Sequence, residues 1–278
     1  MSGPMAEEGK RAAALLLKPV HFRRDSGTEV ARLESMIAYF IAWFFGAAAG
    51  SAAACAASRY LGGGSLLHPL RSYCAACGKA IAWYDNVPVL SYLLLRGRCR
   101  SCKERIPPCI FFTELCCSLL SVFLLWRFSW SVTAVLLALF FWIAVSFCLI
   151  DLACLHLPDM FLVAAAVPLV ILLLYGSPAP WPQPVLASMA GAGLLLVLRY
   201  AYFLVRHKEG LGLGDVKLVA LLGLLTDLPG IFDILFMAAL LGLAAVMLCR
   251  LFRGALPGQV PFGPFLCMAA YIKVLWGA

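Results

Sequence analysis

The chain has 278 residues, 63% of them apolar and 13% charged, with a mean hydropathy of +0.93. Soluble globular chains average about 45–50% apolar and about 25% charged, so secreted and ordinary cytosolic globules are excluded. The net charge of +8 comes from basic clusters beside apolar runs, which mark cytoplasmic membrane flanks rather than a nucleic-acid surface.

In chain order, residues 1–35 form a mixed-charge tail with six Lys/Arg and five acids. Its longest apolar stretch, Ala12–Leu17, is too short for a signal-peptide core. Met36 is the expected native start, with the tail an upstream reading. A first span is expected at 36–57, then a polar loop at 58–106 that holds eight Lys/Arg from Arg59 to Arg105. Seven further spans follow at about 107–126, 132–150, 159–175, 185–204, 216–226, 231–249 and 261–276. The run at 216–226 is short for about 30 Å of hydrocarbon. The expected fold is therefore an all-α polytopic membrane protein of about eight helices. Placing 58–106 in the cytoplasm puts 151–158, 205–215 and 250–260 there too. These segments gather Arg206, Lys208, Arg250 and Arg253, whereas the outer turns hold Arg127, with Lys273 near the end. Trp126, Trp130 and Trp181 fall at outer boundaries, as interfacial aromatics do.

Within the polar loop, Cys74-Ala-Ala-Cys77 and Cys99-Arg-Ser-Cys102 are separated by 21 residues. Four thiolates so spaced suit tetrahedral Zn²⁺ as a structural site. Gly78 follows the first pair, where a knuckle turn favours positive φ. Asp85, between the pairs, reads as a cap or turn residue. The rival use of the pairs is thiol–disulfide chemistry, which a cytosolic face disfavours.

Seven acids follow residue 106. An acid in a span is costly and marks function unless explained otherwise. Asp227 and Asp233 read as caps at an outer turn, and Glu209 as a solvated loop acid. Glu114 lies inside the second span and needs a polar partner. Asp151 ends the third span, and Asp215 opens the sixth after Gly210-Leu-Gly-Leu-Gly214. One helical hairpin separates them, so they return to the same face. Two carboxylates at one depth share a proton and can act as general acid and base on a peptide bond. Gly212 and Gly214 permit close backbone approach beside Asp215, leaving room for an extended peptide. Asp159 follows Pro158 and reads as a helix start. A proton-coupled transporter would use the same two aspartates as a relay.

The residues resemble the type IV prepilin peptidases, which are bifunctional leader peptidases and N-methyltransferases. The matching blocks are Cys74–Cys77 with Trp83-Tyr84-Asp85-Asn86-Val87-Pro88, Arg96–Cys102, Glu114-Leu115, Ile150-Asp151 through Leu157-Pro158-Asp159, Gly212–Leu218 and Pro261–Phe265. The resemblance covers about residues 36–278. It implies catalytic roles for Asp151 and Asp215, prepilin or pseudopilin substrates of a type IV pilus or type II secretion system, and S-adenosylmethionine as methyl donor. It also implies a multi-pass protein of the bacterial inner membrane with its active site facing the cytoplasm. Where the family shows Gly-Ser-Phe-x-Asn, this chain has Gly50-Ser51-Ala52-Ala53-Ala54. The expected organisation is a tail (1–35), a first span (36–57), a zinc-binding loop (58–106) and an aspartic peptidase core (107–278).

Overall fold

The computed structural model describes residues 29–65, 72–176, 180–208, 210–253 and 259–276. Most of the 1–35 tail, Arg71 and Glu209 lie outside the described residues. Among the described residues eight long helices carry the fold: α1 (Glu29–Leu61), α3 (Pro108–Phe128), α4 (Val132–Cys154), α5 (Asp159–Gly176), α6 (Gln183–Arg206), α7 (Leu213–Gly223), α8 (Leu228–Arg253) and α9 (Gly263–Trp276). The polar loop adds a 3-10 turn at Trp83–Asn86 and a short helix, α2 (Leu90–Leu94). Among the described residues β structure is limited to two isolated bridges.

Five of these helices are long and apolar enough to cross a membrane, within 32–61, 108–128, 132–154, 183–206 and 228–252. The other three are shorter. At 1.5 Å per residue α7 spans about 16 Å, roughly half the hydrocarbon thickness. The helix at the expected 216–226 run starts three residues earlier and ends at Gly223. The first helix runs beyond the expected 36–57 at both ends, because a helix needs no apolar residues to continue into polar surroundings.

The described residues fall into two compact units, one up to Trp130 and one from Ser131 onward. In the first, α1 packs along α3. The contact is close because Gly46 and Gly50, one turn apart, offer no side chains. A Cβ on Gly46 would stand 2.5 Å from the Cys117 carbonyl, and one on Gly50 would stand 2.7 Å from Glu114 Cα. Small residues at four-residue spacing let two helix backbones meet where lipid gives no hydrophobic drive.

In the second unit, α4 packs on α5 and α9, and α7 packs on α5, α6, α8 and α9. The Ser131 hydroxyl caps the start of α4 by accepting from the Ala134 N–H, 3.1 Å away. At its end Leu155 takes a left-handed turn and returns its N–H to the Asp151 carbonyl at 2.9 Å. Asp227 caps α8 as expected, accepting from the Gly230 N–H at 3.0 Å. Asp233 differs from expectation: it pairs with Lys273 at 2.7 Å and joins α8 to α9.

Candidate functional site

The four loop cysteines come together. Their Sγ atoms all lie within 4.8 Å of one another, and Cys74 Sγ stands 3.8 Å from Cys102 Sγ. A tetrahedron with Zn–S bonds of about 2.3 Å has S–S edges of about 3.8 Å, so the donor set fits zinc. The two knuckles repeat one backbone pattern. Cys74 N–H donates to the Lys79 carbonyl and Gly78 N–H to the Cys74 carbonyl. Likewise Cys99 N–H donates to the Glu104 carbonyl and Lys103 N–H to the Cys99 carbonyl. The residue after each pair takes positive φ, +70° at Gly78 and 61° at Lys103. The glycine was legible in the sequence, but its lysine counterpart was not.

The cysteine thiols do not ionise alike. N–H groups of Cys102 and Ser101 push Cys99 down to about 6. At Cys102 the Glu104 N–H pulls downward, but desolvation and the hydrogen bonds that its S–H donates to Cys99, Cys77 and Cys74 outweigh it and raise the thiol to about 11. A cation at the centre is what lets all four become thiolates together. Asp85, expected as a turn residue, lies in the 3-10 turn and also ties that turn to the second knuckle. Arg100 forks onto it at 2.6–3.0 Å, and that hydrogen bond holds its carboxyl below the usual range.

Glu114 finds its polar partner. The carboxylate, buried between α1 and α3, accepts from the Val89 N–H at 2.6 Å. It also takes a hydrogen bond from Ser51. Val89 is held at φ 61°, an uncommon conformation for a β-branched residue, so the contact fixes a kink at the entry to α2.

In the second unit Asp151 and Asp215 lie within electrostatic reach of each other. Both are buried, at 5% and 9% exposure. Asp151 sits in the last turn of α4, where its carboxylate accepts from the Gly263 N–H at 3.1 Å. A Cβ on Gly263 would stand 2.9 Å from Asp151 Oδ2. Asp215 is the third residue of α7, and its carboxylate reaches back to the N–H of Gly212, the residue before the helix. That is one half of a capping box. The two glycines beside it differ. Gly214 is filled by Leu157, whose Cβ would be 2.7 Å from an added Cβ, whereas over Gly212 the nearest atom is the Asp215 carboxylate at 3.4 Å. Asp159 opens α5 and its carboxylate pairs with Lys217 of α7 at 2.6 Å.

Two residues not singled out by the sequence hold the Gly210–Gly214 loop from α6. Arg199 donates to the Leu211 carbonyl, and the Tyr202 ring lies so close over Gly210 that no Cβ fits there. They are three residues apart and so share a helix face. An arginine inside an apolar helix is a signal that could have marked Arg199; Tyr202 carries none.

Comparison with known proteins finds two family domains and several relatives. The Bacterial Peptidase A24 N-terminal domain matches residues 44–128, and the Type IV leader peptidase family matches 137–247. The chain is 38% identical over 207 residues to the prepilin leader peptidase/N-methyltransferase of Pseudomonas putida, covering 74% of this chain and 72% of the relative. It is 34% identical over 212 residues to the protein of that name from Aeromonas salmonicida (74% and 72%). It is 33% identical over 207 residues to that from Neisseria gonorrhoeae (72% and 69%). No solved structure matches the chain. Two consecutive family domains, and relatives of this identity along most of their length, make the chain a member of the Type IV leader peptidase family.

Proposed function

We propose that the chain removes the leader of type IV prepilins or pseudopilins by aspartyl acid–base catalysis and methylates the amino group so exposed. The carrying observation is the convergence of Asp151 and Asp215, which are 64 residues apart in sequence, each with one backbone N–H on its carboxylate. The ionised carboxylate takes a proton from the attacking water while its protonated partner donates to the scissile carbonyl. The same pair then protonates the departing amine. The open face of Gly212 gives an extended peptide room to lie beside Asp215. The relatives' printed names, prepilin leader peptidase/N-methyltransferase, support the substrate and both activities.

The working organisation is a first span at 36–57, a zinc loop at 58–106 and a core at 107–278, with eight spans in the bacterial inner membrane. The charge bias of the turns at 151–158, 205–215 and 250–260 supports a cytoplasmic active site. Cys74, Cys77, Cys99 and Cys102 would hold zinc, which there closes the loop and leaves no position for substrate. S-adenosylmethionine carries a sulfonium cation. The loop cavity lined by Leu95, Arg96, Arg98, Cys99 and Lys103 is itself cationic and does not fit that group, so methyl transfer is assigned to no residue.

The test is purified chain incubated with full-length prepilin, and separately with pre-cleaved pilin and labelled S-adenosylmethionine. Asp215→Asn should stop cleavage, and with it methylation of full-length prepilin, yet still methylate pre-cleaved pilin. Leader removal by Asp151→Asn or Asp215→Asn at the native rate would sink the aspartyl mechanism. Cleavage without methyl transfer by the unaltered chain would remove the second activity.

A further inference from the structure

Helix α2 is built inside out. Ser91 is 8% exposed and donates to the Val87 carbonyl. Tyr92 stacks on Phe111 of α3 with ring centroids 5.0 Å apart. The leucines point the other way: Leu90, Leu93 and Leu94 are 51%, 58% and 74% exposed. In water that arrangement is unfavourable, because it leaves three large apolar side chains solvated. The level of α2 along α3 explains it. Its two anchors, Phe111 and Glu114, lie about 4 and about 9 Å from the start of α3 at Pro108, at 1.5 Å per residue. That is the depth of the membrane interface if α3 crosses the bilayer.

The chain then turns through three cations. Arg96, Arg98 and Lys103 line a cavity of about 480 Å³ with Leu95 and Cys99. No carboxylate is among these lining residues; the anion there is the Cys99 thiolate of the zinc knuckle. Their neighbour Arg100 is already forked onto Asp85, so the loop neutralises one arginine and leaves three cations together. Exposed leucines beside clustered cations match the two halves of an anionic phospholipid: acyl chains against the first, phosphate against the second.

We infer that this surface, α2 with the Arg96/Arg98/Lys103 cavity, binds an anionic glycerophospholipid and seats the zinc loop on the bilayer. The inference rests on the membrane reading of α1 and α3 and is independent of the aspartyl mechanism.

The full chain is placed in nanodiscs of phosphatidylcholine alone or with phosphatidylglycerol. Retained lipid is counted by native mass spectrometry, backbone protection by hydrogen exchange, and prepilin cleavage is followed in parallel. Phosphatidylglycerol should be retained preferentially, and residues 90–103 should gain protection in its presence. Arg96→Gln, Arg98→Gln and Lys103→Gln should each lower that retention roughly fivefold, and Leu94→Glu should abolish the added protection. Arg206→Gln with Lys208→Gln should leave both unchanged. Equal retention of the two lipids, or no gain in protection in the unaltered chain, would overturn the inference even if every variant misfolds. Displacement by millimolar inorganic phosphate would overturn it in favour of a free-anion site. Loss of zinc with unchanged lipid retention in the Gln variants would assign the cations to the thiolate cluster instead. Normal cleavage alongside any of these negative results leaves the peptidase reading standing and removes the lipid site alone.

Discussion

The backbone N–H of Gly263 donates to the carboxylate of Asp151 across 112 residues of sequence, 3.1 Å away. This contact joins the first turn of α9 to the last turn of α4 and aims Asp151 from behind. A methyl group at 263 would stand 2.9 Å from Oδ2, so either the helix start or the carboxylate must shift. Gly263→Ala should therefore reduce prepilin cleavage by roughly a hundredfold, the order expected when a reacting group is displaced by about 1 Å. Gly193→Ala on α6 serves as the comparison, because nothing lies within 4 Å of the Cβ it would add. A kcat for Gly263→Ala equal to that of Gly193→Ala would show that Asp151 is not aimed this way.

Asp151→Asn and Asp215→Asn should each lower cleavage by at least roughly 10²–10⁴-fold, since Asn keeps the shape but can neither take nor give the proton. Asp159→Asn should stay active. Its ion pair with Lys217 is exposed on both sides, and such pairs contribute roughly 0–1 kcal/mol. Measured kcat for the three variants, with circular dichroism to confirm folding, checks the choice of partner. An inactive Asp159→Asn beside an active Asp151→Asn would reverse it.

Much of this was legible because the informative patterns are local. Cys74–Cys77 and Cys99–Cys102 announce their knuckles through spacing, and Gly78 its positive φ. Apolar run length located eight helices, with ends misplaced by a few residues. Helix ends depend on caps: α7 begins early because Gly212 and Asp215 form its start. The relationships that aim the aspartates were not legible. Gly263 matched a family block but carried no role, and Leu157 and Tyr202 look like ordinary apolar residues until the chain brings Gly214 and Gly210 beneath them. Glu114 was visible as an anomaly, but its partner, a backbone N–H in another element, has no sequence signature.

The zinc loop predicts a stoichiometry. Detergent-purified chain should contain one zinc per molecule by metal analysis, and Cys74→Ser or Cys102→Ser should lower it. Chelation should loosen residues 72–106 in hydrogen exchange, because ligand deprotonation and loop folding are coupled to binding. Less than about half an equivalent in folded protein would contradict the knuckle.

The Asp85–Arg100 fork predicts an acid limb in the stability of the same loop. Arg100 holds the Asp85 carboxyl below its ordinary 3.8. A group whose folded value is depressed adds stability above its unfolded value and loses it as pH falls through the folded one. The fork's contribution should be whole above about pH 5 and be lost progressively as pH falls below 3.8 through the depressed folded value. Asp85→Asn should flatten that limb in a hydrogen-exchange titration of residues 83–100; an unchanged limb would place its origin elsewhere.

The clamp on the glycine loop gives the last prediction. Asp215 is positioned by the backbone before it, and Arg199 and Tyr202 hold that backbone from one face of α6. The arginine bonds the Leu211 carbonyl and the ring covers Gly210. Neither is within the carboxylate pair, so both are positioning residues. Tyr202→Phe keeps the ring and should cleave at the native rate, whereas Tyr202→Ala should uncover the loop and lower kcat. Arg199→Ala should lower kcat more than it changes KM, because a misplaced Asp215 weakens the transition state while substrate docking is untouched. Arg199→Lys retains a donor but not the planar fork and should recover part of the loss. A purely structural role for Arg199 would reduce the folded fraction and leave kcat per folded molecule unchanged. Active-site titration with a tight-binding aspartyl inhibitor separates those outcomes.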